Sequence, residues 1–188
     1  MKLLAVGLFT LATGCAVDEP QQESTDQPAR SPHIAVLLTD APAEFEAVWV
    51  NIASVAIHSA DAGWLTLADS PQKFDLLTLR DDITAALGGA TLEPGMYEQL
   101  RLVVDSASVV VAGEESPLTI ASGAETGIKI NLDSMFEANT TYSITLDYDA
   151  DKSVKSTGHG YLMTPVISVK DFVATPMESE SEGDEPIQ

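Results

Sequence analysis

The chain has 188 residues, 29 acids against 9 bases, a formal net charge of −20 and a single cysteine. That length suits one domain, and that charge repels a phosphate backbone from nearly every face, which excludes nucleic acid as a partner. One cysteine rules out an intramolecular disulfide framework and any CxxC metal or redox motif, while 45% hydrophobic residues leave enough apolar surface for a packed core.

The first predicted element is an export signal. Met1-Lys2 is followed by the largely apolar run from Leu3 to Ala12 and then by Thr13-Gly14-Cys15, the order of charge, apolar stretch and small residues that marks a secretory leader. A bilayer-spanning helix takes about 20 apolar residues, so this run is too short to be an ordinary span. The small pair ahead of the lone cysteine resembles a bacterial lipobox. The resemblance implies a signal peptide over 1–14, cleavage before Cys15 and lipid on its thiol, with a palmitate-type acyl chain on the new amino terminus. Stable anchoring needs more than one chain, and a bacterial lipoprotein carries three. Ala16, where an aspartate would retain the protein at the inner membrane, leans the expected location towards the outer membrane of the cell envelope. The membrane, through that lipid, is thus one expected partner.

Residues 15–32 are expected to be the lipidated cysteine plus an acidic, proline-rich tether, with three prolines and four acids after Cys15. The other end, 175–188, reads as a disordered acidic tail. Between them, 33–174 holds 20 acids and 7 bases, a net of −13, so the negative charge is intrinsic to the folded part.

Within 33–174 the apolar period is 2, which predicts strands. Val48, Val50 and Ile52 alternate with Ala47, Trp49 and Asn51; the phase then slips at Ala53-Ser54 to Val55 and Ile57, as a β-bulge requires. Further alternating runs are Leu100 to Val104, Ile128 to Leu132, Tyr142 to Tyr148, and Met163 to Val173, where Pro165 argues for an edge strand or a bulge. Asp61-Ala-Gly63, Pro94-Gly95 and Gly113-Glu-Glu115 are predicted turns. One short helix is predicted, with Asp81 or Asp82 as N-cap, Ile83 to Leu87 as body and Gly88-Gly89 as stop. The expected fold class is all-β, a single β-sandwich with one short helical crossover. At this size it needs no disulfide staple.

Seven segments in order carry a further resemblance: Leu38-Thr-Asp-Ala-Pro42, Gly63-Trp-Leu-Thr-Leu67, Phe74-Asp-Leu-Leu-Thr-Leu79, the run Leu92 to Leu102 containing Pro94-Gly95-Met96-Tyr97, Ala121 to Lys129, Leu146 to Ser153, and Gly160 to Val169. Together they resemble the bacterial exported-lipoprotein domain known as domain-of-unknown-function family 4382. The resemblance spans nearly all of 34–170 and implies an exported, often lipid-anchored β-rich domain with no established reaction, hence no catalytic residues to transfer. The Pro-Gly-x-Tyr element is also similar to transthyretin-like and carboxypeptidase-regulatory sandwiches, so the style expected is transthyretin-like or immunoglobulin-like.

Chemistry-bearing motifs are sparse. There is no GxSxG, HExxH or GxGxxG, and His33, His58 and His159 lack ligand-spaced partners. The expectation is therefore a non-catalytic binding or adhesion module without a cofactor, meeting an unknown envelope or extracellular ligand; an unrecognised hydrolase is a distant third reading. The alternative is a calcium- or carbohydrate-binding accessory domain. Asp147, Asp149 and Asp151 alternate as a strand runs out, and three such carboxylates suit calcium, which takes six to eight oxygens; the competing reading is a solvated strand end paired to Lys152 or Lys155. Trp64 and Trp49 offer stacking platforms for a sugar ring, although aromatics on alternating strands more often face a core. Lys129 and Arg101 are expected to pair with nearby carboxylates, and Asp40 to cap a turn through backbone N–H groups.

Overall fold

The computed structural model describes residues 28–41, 43–121 and 126–178. The expected signal peptide, Cys15, most of the tether and the tail from residue 179 lie outside the described residues. In chain order the strands are β1 (His33–Asp40), β2 (Ala47–Ser59), β3 (Gly63–Ala68), β4 (Gln72–Asp75), β5 (Ala85–Thr91) and β6 (Gly95–Val111). They continue with β7 (Glu114–Ile120), β8 (Ile128–Phe136), β9 (Thr140–Tyr148), β10 (Val154–Thr157), β11 (Gly160–Met163) and β12 (Ile167–Pro176). A 3₁₀ turn covers Leu76–Thr78, and a single-turn helix α1 covers Ala150–Ser153.

These strands build an all-β sandwich. The smaller sheet has the order β12-β9-β1-β5, with β1 and β9 parallel and the other pairs antiparallel. The larger sheet is organised on two long strands, β2 and β6, paired antiparallel. On its free side β2 takes β4 along its first half and β3 along its second, while β6 takes β8 near its start and β7 near its end. The slip predicted at Ala53-Ser54 is present: Ile52 pairs with Val104 and Ser54 with Val103, so the extra residue moves the buried set from Val48, Val50 and Ile52 to Val55 and Ile57. Without that bulge the second half of β2 would turn its apolar side chains to water.

The core lies between the sheets. Ile34, Val36 and Leu38 of β1 and Ile144, Leu146 and Tyr148 of β9 face Val48, Val50, Ile57, Leu100 and Leu102 from the larger sheet, all essentially fully buried. At one end Phe136 stacks on Tyr142 at 4.1 Å between centroids with a 7° interplanar angle, and Tyr97 lies 4.7 Å away on the other side. The three predicted turns all join strands: Asp61 and Ala62 lie between β2 and β3, Pro94 just before β6, and Gly113 between β6 and β7. Pro165 falls in the link before β12, which is an edge strand with a bulge at Val169 to Asp171.

The helix expected over 81–87 is not formed. Asp81 and Asp82 both have positive φ, 56° and 65°, incompatible with a helical first turn, and Ala85 onward is extended as β5, paired to β1. Five residues are too few to nucleate a helix alone, and the open edge of β1 supplies a full ladder of partners instead. Gly88 and Gly89 are therefore not a helix stop but a place of close approach. A Cβ on Gly89 would stand 2.5 Å from the Ile34 carbonyl oxygen, and one on Gly88 would stand 2.8 Å from that of Leu67 and 2.9 Å from the Ala68 Cβ. Gly88 thus lets β5, an edge of one sheet, pinch against β3 in the other.

Candidate functional site

The outer face of the larger sheet carries the densest chemistry. Trp49 lies on β2 between the buried Val48 and Val50, so its ring is on the side away from the core. Trp64 on β3 is paired with His58 and is 38% exposed. Both tryptophans of the chain are therefore on this outer face, and the expectation that they fill the core is overturned. The alternation is as read; the phase is fixed by Val48, Val50 and Leu67, which take the inward positions. Each ring has a cation over it, Lys73 at 4.6 Å from the Trp49 ring and the Arg101 guanidinium at 3.8 Å from that of Trp64. The two aromatics stand about nine residues apart along β2, roughly 30 Å at strand rise.

Polar side chains fill the same face. Gln99 donates to Asn131 across β6 and β8 at 3.0 Å, Asn51 donates to Asp105 at 2.6 Å, and His58 Nδ1 lies 2.9 Å from Glu98. A shallow groove of about 330 Å³ runs beside Trp49, lined by Asn51, Lys73, Ser106 and Ser108. Arg101 and Lys129 are directly opposed on β6 and β8. Contrary to expectation, neither forms an ion pair with a carboxylate among the described residues. The acids nearest Arg101 on its own strand, Glu98 and Asp105, are instead paired with His58 and Asn51.

A second concavity lies where β3 and β5 splay apart beyond the Gly88 pinch. This cleft of about 510 Å³ is walled by Leu65, Ala90, Leu92 and Pro94, floored by Tyr97 and rimmed by Asp61 and Glu93. Tyr97 donates to the Glu93 carbonyl at 2.8 Å, and burial, with Glu93 and Asp61 nearby, pushes its phenol pKa up.

The three aspartates read from the sequence part company because the strand stops. Period 2 ends at Tyr148, and the chain turns into α1. Asp147 remains on β9; Asp149 becomes the N-cap, accepting from the Lys152 backbone N–H at 2.9 Å and from its ammonium at 2.6 Å; Asp151 sits in the first helical turn. The Lys152 hydrogen bond holds the Asp149 carboxyl below its ordinary pKa, in line with the solvated, lysine-paired reading. Among the described residues, no three of histidine, cysteine, aspartate or glutamate are placed to hold one metal ion.

Asp40 does accept a backbone N–H, as expected, but across the fold rather than within a local turn, and its carboxyl is buried. Its Oδ1 accepts from the Ala150 N–H at 3.0 Å, 110 residues away, and its Oδ2 is buried without a hydrogen-bond partner. Burial, reinforced by the charges of Asp147 and Asp149 against the Ala150 hydrogen bond, pushes its pKa up to about 7. Its cross-strand neighbour Tyr148 is also raised by burial and then by Asp40, and its hydroxyl meets the Met163 sulfur at 3.2 Å. No sequence signal marks this cluster, since its members come from β1, β9 and β11.

Comparison with solved structures gives a protein described as a "putative cell adhesion protein" from Bacteroides eggerthii, at 11% identity and a TM-score of 0.39. The match covers 78% of this chain, and the chain spans 56% of that protein's length; likeness at that level carries no argument. Among curated proteins no relative matches. The family model described as Domain of unknown function (DUF4382) matches residues 32–165, which takes in every strand from β1 to β11. This chain belongs to that family.

Proposed function

We propose that this protein is a non-catalytic binding module of the bacterial cell envelope that takes a saccharide ligand on the outer face of its larger sheet. One observation carries the reading: both tryptophans stand on that face, each beneath a cation, where alternation and size would favour the core. Tryptophan and arginine are among the residues most enriched where binding energy concentrates at protein interfaces. The face is polar and long, with the Asn51–Asp105 pair between the two rings, Ser108 level with Trp49 and Gln99 level with Trp64, which suits an extended hydroxyl-rich polymer. The perturbed carboxyl, Asp40, is packed inside the sandwich and not in a cleft, which supports binding over turnover.

The test is a glycan array probed with the full chain and with the Trp49→Ala/Trp64→Ala double variant. Binding to array positions is expected to fall at least about ten-fold in the variant, with thermal unfolding nearly unchanged because both rings lie outside the core. Signals of equal strength from the two proteins would refute the proposal.

The anchor is part of the same proposal. Cys15 holds the membrane, and the residues after it connect that anchor to the sandwich. Cys15→Ser is expected to move the protein from the membrane to the soluble envelope fraction and to abolish incorporation of labelled palmitate. Retention in the membrane with no label would exclude the lipid.

A further inference from the structure

We infer that the cleft between β3 and β5 is a second binding site, which takes a small organic cation: an apolar aryl or alkyl body carrying one ammonium group. The inference stands apart from the saccharide face, because the cleft opens between the two sheets and both tryptophan rings lie on the outer face.

β3 and β5 are edge strands of opposite sheets. At Gly88 they close until there is no room for a Cβ against Leu67 and Ala68. Towards the β2–β3 turn they part, and the gap of about 510 Å³ is of the size that holds a small molecule. Its walls are side chains that face the core. Leu65 lies between the exposed Trp64 and Thr66 and stays partly uncovered. Ala90, the register partner of the buried Ile34, ends at its Cβ and leaves the space beside it unfilled. Leu92 and Tyr97, both nearly fully buried, complete an apolar floor, where the Tyr97 hydroxyl donates its proton to the Glu93 carbonyl.

The mouth is held by hydrogen bonds on both sides, so the cleft needs no rearrangement to open. The buried Ser59 Oγ accepts from the Asp61 and Ala62 N–H groups at 3.3 and 3.2 Å. The Ala60 N–H donates to the Met96 carbonyl at 3.0 Å, which ties the β2–β3 turn to the start of β6. On the β5 side the Leu92 N–H donates to the Pro32 carbonyl at 2.8 Å.

Charge at the mouth selects the ligand. Asp61 and Glu93 both line it, and neither is paired with a cation among the described residues. After burial, the charges of Glu93 and then Asp61 hold the Tyr97 phenol above its ordinary pKa, so both carboxylates are felt at the same floor. An apolar body covers what Leu65 and Ala90 leave exposed, while the ammonium stays at the wet rim and avoids the cost of burying a charge. A carboxylate on the same body meets repulsion from both acids.

The experiment is a ¹H–¹⁵N NMR titration of the full chain with phenethylamine, neutral phenethyl alcohol and anionic phenylpropionate, repeated on the Asp61→Asn/Glu93→Gln double variant and on Ala90→Leu. The amine is expected to shift the backbone amides of Ala62, Ala90 and Tyr97. It is expected to bind about five-fold more tightly than the alcohol and at least about ten-fold more tightly than the acid. The double variant should bring the amine down to the affinity of the alcohol, and Ala90→Leu should abolish the shifts from both. Asp61 and Glu93 are exposed, so the double variant tests the site even if Ala90→Leu perturbs the fold. No shifts with the amine, equal affinity for amine and alcohol, or unchanged affinity in the double variant would overturn the inference. So would self-association of the full chain that Ala90→Leu abolishes, which would make a second copy the occupant. The Trp49→Ala/Trp64→Ala variant is expected to bind the amine as the wild type does; loss of binding there would place the cation on an indole ring instead, and this site would fall while the outer face stands.

Discussion

Raising the pH from 4 to 7 is expected to cost the folded chain about 3 kcal/mol of stability, and Asp40→Asn is expected to remove most of that slope. The folded Asp40 carboxyl titrates near 7 against an ordinary value of 3.8. Below 3.8 both folded and unfolded chains hold the proton, and its contribution to stability is fully present. Between 3.8 and 7 the unfolded chain has released the proton while the folded chain still holds it, so stability falls as pH rises. Above 7 both are ionised, and the penalty of a buried charge is complete and constant. Asp149 acts in the opposite sense, but its lowered pKa confines its effect to pH values below about 3.8, outside this window.

Asparagine keeps an oxygen for the Ala150 N–H and cannot ionise. Its amide nitrogen takes the place of the unpartnered Oδ2, at a cost of about 1–3 kcal/mol for a buried unsatisfied donor. The two stability curves should therefore cross: wild type is the more stable protein at pH 4 and Asp40→Asn at pH 8. Urea denaturation at four pH values between 4 and 8 measures this directly. Parallel curves for the two proteins would show that Asp40 is not the buried titrating group.

Phe136→Ala is expected to destabilise the chain by about 3–5 kcal/mol. Phe136 is fully buried at the end of β8, stacked on Tyr142, beside Tyr97 and with Phe172 at 6.1 Å. It joins β8 of the larger sheet to β9 and β12 of the smaller one, so its loss opens a cavity that neither sheet can close alone. For a domain of this size the melting temperature should fall by roughly 10–20 °C. Its neighbour Met135 is 56% exposed, and Met135→Ala should change stability by less than about 0.5 kcal/mol. Similar melting temperatures for the two variants would contradict the packing described.

Period-2 alternation makes most of this sandwich legible in the residues themselves. A strand with one buried face must alternate, and a bulge must shift the phase; Ile52, Ala53, Ser54 and Val55 spell out both. The Ala85-Ala-Leu-Gly-Gly89 segment misleads because its helix propensity is local, whereas its fate is decided by an open strand edge some fifty residues earlier. Alternation also does not tell which set of side chains faces inward on β2 and β3, since Trp49 and Val50 are both apolar; on β2 the inward set is Val48, Val50 and Ile52, three aliphatics in one phase against Trp49 and Asn51 in the other. The cations are visible as Arg101 and Lys129 but not as register partners, because the register of β6 against β8 is not written in either strand. Asp40 is hidden for the same reason, its one short hydrogen bond spanning 110 residues.

The central claim is that the outer face of the larger sheet meets the ligand. The most direct measurement is two-dimensional ¹H–¹⁵N NMR of the chain titrated with a saccharide that it binds on the array. The two indole N–H signals, from Trp49 and Trp64, are expected to move along with the side-chain amides of Gln99 and Asn131. Shifts confined to Ala62, Ala90 and Tyr97, with both indole signals still, would place the ligand in the β3–β5 cleft and contradict the account.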